Sequence, residues 1–94
     1  MEQITVKIEN SELTAKIFGS YDINARMLER AFGVSVRNRA EDEYDAVVIS
    51  GEAADDVEKV AEAVRYLKDM ARYNDELSEQ QVAYVIDMIK GIKA

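Results

Sequence analysis

Between Asp55 and Tyr73, the residues Val57, Val60, Val64, Leu67 and Ala71 recur at intervals of three, four, three and four. That spacing lays one apolar stripe along five turns of an α-helix and leaves charged side chains on the rest of its surface. A helix of this kind draws its stability from packing, so its stripe needs a second apolar surface. A chain of 94 residues builds one core. Every other element must therefore pack against this helix.

The partner surface is readable as strands. Ile4-Thr-Val-Lys-Ile8 alternates apolar and polar positions with β-branched residues, which predicts a half-buried or edge strand. Val34 to Arg39 alternates with Val34 and Val36 inward, and Ala46 to Ser50 reads as a buried strand stopped by Gly51. The acidic stretch 40–45 joins these two runs as a loosely connected antiparallel hairpin.

Two short segments lie between the first strand and the hairpin. From Asp22 to Phe32, the residues Ile23, Met27, Leu28, Ala31 and Phe32 fall on one helical side, with Arg26, Glu29 and Arg30 outside. Ser20 or Asp22 is the expected N-cap, and Gly33 the left-handed residue that ends the helix. Residues 12–18 support two readings. Leu13 and Ile17 share a helical face capped by Asn10 or Ser11 and ended by Gly19, yet Leu13, Ala15 and Ile17 also alternate as in a strand. Beyond Asn74-Asp75-Glu76, Ser78 to Gln81 spell a capping box, Leu77 can staple onto Val82, and Val82, Val85, Ile86 and Ile89 face inward on a last helix over about 78–92. The order is β-α-α-β-β-α plus an appended helix. This predicts one α+β domain over 1–94: a three-stranded antiparallel sheet with helices on one face, its core within about 1–73.

Composition narrows the chemistry. The chain has neither cysteine nor histidine. Disulfides, thiol nucleophiles, Cys/His zinc sites and histidine acid–base catalysis are thereby excluded. No stretch approaches the roughly 18 apolar residues of a membrane span, and the first residues lack the regions of a secretory signal, so a cytoplasmic protein without membrane contact is expected. Net charge is −7. Residues 1–40 carry six basic and five acidic side chains, and residues 41–94 six basic and fourteen acidic. A face for a polyanion should therefore be built from residues before Glu41. Lys16, Arg26, Arg30, Arg37 and Arg39 are its candidate cations, and Tyr21 could stack on a base. The alternative for these residues is a solvated face with weak helical ion pairs. The carboxylates at 41–45, Glu52, Asp55 and Asp56 lack the spacing of a calcium-binding loop and read as solvated, helix-favouring charge. Tyr66, Met70 and Tyr73, with Tyr84 and Met88, are expected to form either core rim or a docking patch.

Gly19-Ser20-Tyr21-Asp22 opens the helix that closes at Gly33. Together with Ala25, Leu28 and Ile49-Ser50-Gly51 it resembles the KH module, whose Gly-x-x-Gly loop clamps four nucleotides. The second glycine is Asp22 here. The carboxylate either meets phosphate or, with Ser20, caps the helix that phosphate would otherwise reach.

The chain further resembles the N-terminal domain of the PhoH-like ATPase family over roughly residues 1–90. The likeness is carried by Phe18-Gly19, Asp22, Asn24, Arg26 and Glu29, by Phe32-Gly33-Val34-Ser35-Val36, by Ile49-Ser50-Gly51, and by Leu77-Ser78 with Val82, Val85 and Ile86. It departs at Ser20-Tyr21, where the family often has proline and acidic residues, and at 40–45, where a tight Arg-Gly-Asn turn is usual. The resemblance implies a non-catalytic, KH-like accessory domain. Such a domain binds RNA or another single-stranded nucleic acid through Lys16, Gly19, Ser20, Tyr21, Asp22, Asn24, Arg26, Arg30, Arg37 and Arg39. A downstream ATPase domain or a second copy is the implied protein partner. A protein–protein docking or oligomerisation module without nucleic-acid affinity is the alternative. No Gly-x-x-x-x-Gly-Lys-Ser/Thr occurs in the chain. No cofactor is expected, since ATP and Mg²⁺ would belong to the ATPase domain.

Overall fold

The computed structural model describes residues 1–91. Strand β1 (Glu2–Ile8) buries Val6 and Ile8 and exposes Gln3, Thr5 and Lys7, as its alternation requires. Residues 12–18 are helical, within α1 (Ser11–Phe18). Local capping decides between the two readings. Asn10 has extended backbone, its side-chain oxygen accepts the Leu13 N–H at 2.9 Å, and its carbonyl accepts the Thr14 hydroxyl at 3.2 Å. The buried set is Thr14, Ile17 and Phe18, a spacing of three and four in place of the strand period.

A short 3₁₀ turn (Ser20–Asp22) leads into α2 (Ile23–Phe32), which ends at Gly33 in the left-handed conformation. Its inner face is rotated from the expected one. Asn24, Ala25, Leu28 and Phe32 are buried, Met27 and Ala31 are half-buried, and Ile23 lies outside. The rotation follows from Asn24, a polar residue that the turn draws inward.

Strands β2 (Ser35–Ala40) and β3 (Asp45–Gly51) form the hairpin. Its connection is tighter than expected, because Ala40 and Asp45 already pair and the Glu41 N–H donates to the Tyr44 carbonyl at 2.9 Å. The sheet is antiparallel with order β1-β3-β2, pairing Val6 with Val47 and Val36 with Ile49. Val6, Ile8, Val36, Val47 and Ile49 join the core with the expected stripe of α3 (Ala54–Ala71), all five residues of which are fully buried. Helices α1, α2 and α3 thus cover one face of the sheet in an α+β arrangement, and α4 packs on α2 and α3.

Helix α4 (Glu79–Lys90) starts at the expected capping box. Ser78 Oγ accepts the Gln81 N–H at 3.1 Å, and Gln81 Oε1 accepts the Ser78 N–H at 2.9 Å. The expected end at 92 lies outside the described residues. The helix is no appendage: Leu77, Val82, Val85 and Ile86 belong to the same buried cluster as α3 and the sheet. A core confined to 1–73 is therefore incomplete.

Glu9 ties the end of β1 to α3. It pairs with Arg72 and, at 3.2 Å, with Lys68. The Arg72 hydrogen bond, reinforced by Lys68, holds the Glu9 carboxyl below the usual carboxylate range. A depressed folded pKa stabilises the fold above the unfolded value of 4.5 and is lost as pH falls through the folded pKa. Glu9→Gln should accordingly lower the urea midpoint slightly at pH 7 and not at all in strong acid, because exposed pairs are screened. A deficit of equal size at both pH values would show that the ion pair is not its cause.

Candidate nucleic-acid interface

Gly19 ends α1 by donating its N–H to the Ala15 carbonyl at 2.9 Å, with φ 78° and ψ 173°. Only glycine adopts that region without strain. A second constraint acts at the same atom: a Cβ on Gly19 would lie 2.7 Å from Asn24 Nδ2. The Asn24 side chain is fully buried beneath the turn and donates to the Leu77 carbonyl at 3.3 Å, tying α2 to the approach to α4. Its expected place at a nucleic-acid surface is thereby corrected. The polar group serves the fold.

Tyr21 and Asp22 follow with φ of 55° and 59°. Two consecutive non-glycine residues in the left-handed region are costly, by about 1 kcal/mol or more each. The Tyr21 side chain is 94% exposed. Neither Ser20 nor Asp22 caps α2 through its side chain, contrary to the expected capping. The left-handed backbone of Asp22 accounts for this, since a capping residue takes extended backbone. The Asp22 carboxylate instead lines a cleft.

That cleft, of about 680 Å³, runs between α1 and β2. Thr14, Ala15 and Phe18 form one wall, Val36, Arg37, Asn38 and Ala40 the other, with Asp22 and Asp45 also lining it. β2 is an edge strand, and the Val36 N–H donates to the Glu29 carboxylate at 2.9 Å in place of a strand partner. Antiparallel alternation then turns the backbone N–H and C=O groups of Asn38 and Ala40 outward as well, unpaired by the sheet. Asp45 is buried with Asn38 Nδ2 at 3.4 Å, a long contact. The cleft therefore offers an apolar floor and a row of hydrogen-bonding edge groups.

Of the expected cations only Arg37 lines this cleft, so they do not gather there as one face. Lys16 is spent on the fold, its Nζ donating to the Ala71 carbonyl at 3.3 Å, and it lines a different hollow rimmed by Glu12, Asp75 and Glu76. Arg26 and Arg30 line a groove with Ser20, Tyr21 and the carboxylate-bearing Glu79, and make no ion pair among the described residues. Arg37 Nε donates to Ser35 Oγ at 3.2 Å, and Arg39 pairs with Glu41 at 2.7 Å. The turn thus separates two surfaces, the α1–β2 cleft and the Tyr21–Arg26–Arg30 groove. Thr14, Asn38 and Asp45 escaped the sequence reading because their position depends on how α1 and the hairpin pair in space. Only the inward parity of Asn38, shared with Val34 and Val36, is visible in the sequence.

Among the described residues, no three acidic side chains come together where they could hold a metal ion, and no helix is long and apolar enough to cross a membrane. No protein-family model, curated protein or solved structure matches the chain.

Proposed function

We propose that this chain is a KH-like, non-catalytic module that binds single-stranded nucleic acid, RNA foremost, and serves a cytoplasmic ATPase of the PhoH-like kind. The observation that carries the reading is the α1–β2 cleft, with the Gly19–Asp22 turn at one end and an unpaired strand edge as its wall. Bases would lie on Phe18 and Val36 and hydrogen-bond to the Asn38 and Ala40 edge. A single strand suits such a cleft because its base edges are free. Phosphates would pass the turn toward Arg26 and Arg30, which make no ion pair among the described residues. Asp22 opposes this passage electrostatically, so affinity should be modest and its removal beneficial.

The test is a fluorescence-anisotropy titration with labelled single-stranded RNA at low salt. Binding should weaken steeply as salt rises, and Arg26→Glu with Arg30→Glu should weaken it at least about tenfold. Asp22→Gly should tighten it several-fold while also relieving the left-handed backbone. Absence of affinity better than about millimolar at low salt, an energy of about 4 kcal/mol, rejects the reading.

Exposure supports a second reading. Tyr73 is 87% and Tyr84 66% exposed, and Tyr66 and Met88 are partly so. An apolar helical surface of this kind suits a docking or oligomerisation module. Sedimentation showing self-association, together with no RNA affinity, would favour it.

A further inference from the structure

No helix packs on the opposite face of the sheet, where Ala46 is nonetheless buried beneath its neighbouring side chains, and the side chains of this face follow from register and parity. Lys7 and Arg39 flank Ala46 in one cross-strand row, Thr5 and Arg37 flank Val48 in the next, and Gln3 and Ser35 flank Ser50 in the third. Their neighbours Val6, Ile8, Val36, Val47 and Ile49 point into the core, which fixes this set outward. These nine positions hold three cations and no carboxylate, in a chain of net charge −7. Glu41 stands only at the hairpin rim, paired with Arg39. Lys7 is held over the Tyr44 ring, its Nζ 5.0 Å from the centroid.

Protein partners anchor on buried aromatic or large aliphatic side chains. The one aromatic beside this face, the half-buried Tyr44, is already covered by Lys7, and the centre of the face is Ala46, Val48 and Ser50. A phosphodiester backbone needs only cations at a suitable pitch. Arg37 and Arg39 are two residues apart on one strand, about 6.6 Å, a pitch suited to successive phosphates of an extended chain. Lys7 lies two strands away from Arg39, about 9.5 Å. β2 belongs to both surfaces: Arg37 sits where the two meet, lining the cleft while its parity is that of the open face, and Arg39 follows it on the open face.

We infer that the open face is a phosphate track, along which a single strand leaving the cleft over the β2 edge is held by Arg37, Arg39 and Lys7. The inference rests on the cleft reading and extends it to longer ligands. It implies that affinity grows with strand length beyond the nucleotides that the cleft holds.

The experiment compares RNAs of about four nucleotides, the size of a KH-type clamp, and about twelve, against the whole chain and the double variant Lys7→Ala/Arg39→Ala. The twelve-nucleotide RNA should bind the native chain more tightly, lose about tenfold on substitution, and show a log–log salt slope smaller by about 1.4, two phosphates' worth for a single strand. The four-nucleotide RNA should change less than about twofold, which also reports that the variant is folded. Equal losses for both lengths, or none for either, overturn the track and leave the cleft intact. Equal affinity of the native chain for both lengths does the same. Absence of binding at both lengths removes the cleft reading and the track together. Displacement of the long RNA by an acidic peptide of matched charge at equal concentration would assign the face to an acidic protein instead.

Discussion

A chain ending at Asn74 should fail to fold. Truncation there removes Leu77, Val82, Val85 and Ile86, all of which are buried in the common core. Each such side chain contributes about 1.5–3 kcal/mol, so the loss is roughly 6–12 kcal/mol. Domains of this size are stable by only about 5–15 kcal/mol. The cut also exposes the apolar sides of α2 and α3 and strips Asn24 of the Leu77 carbonyl. Thermal unfolding followed by circular dichroism should therefore show no cooperative transition for the truncated chain. A sharp transition within a few degrees of the full chain would return α4 to the status of an appendage.

Gly19→Ala is expected to be the most damaging single methyl group in the protein. The backbone at φ 78° and ψ 173° is nearly closed to side chains and would cost about 1–3 kcal/mol. The added Cβ also falls 2.7 Å from Asn24 Nδ2, so the asparagine must move and its bond to Leu77 break. A buried carbonyl left unpaired costs a further 1–3 kcal/mol or so. Together these lower stability by about 3–4 kcal/mol, which in a domain of this length is a fall in Tm of more than about 12 °C. Ser20→Ala, at an exposed neighbouring position, should stay within about 0.5 kcal/mol of the parent. A Gly19→Ala loss below about 1 kcal/mol would mean that the turn has room to rearrange, and would sink the argument from the close approach of Asn24.

The fold was most legible where one pattern ran long. Five turns of α3 admit no second reading, and its stripe is buried residue for residue. α1 is too short for that, since eight residues satisfy either period, and the choice rests on what Asn10 does with one carboxamide. On α2 polarity is a poor guide to exposure, since its buried face includes Asn24. Asn24 is buried by a contact made with residues more than fifty positions away. The separation of α4 from the core failed for a related reason: a turn in the sequence marks a change of direction, not an end to packing.

The candidate site was legible as an inventory rather than as an arrangement. Gly19 and the turn could be picked out locally, as could the exposed cations Arg26 and Arg30. Lys16 could not be recognised as a ligand of the Ala71 carbonyl, because that contact spans 55 residues. The outward parity of Lys7 is plain in the sequence, but its nearness to Arg39 arises only when β3 inserts between β1 and β2.

An unprotected β2 edge would be a template for a second chain to extend the sheet, the usual first step toward insoluble fibrils. Glu29 already occupies the Val36 N–H, and Arg37 and Arg39 would bring like charges together if two copies met along this strand. The proposed nucleic-acid ligand would instead meet these arginines with the opposite charge, beside an Asn38 and Ala40 edge that no strand occupies. One strand can thus repel its own kind and still admit a ligand.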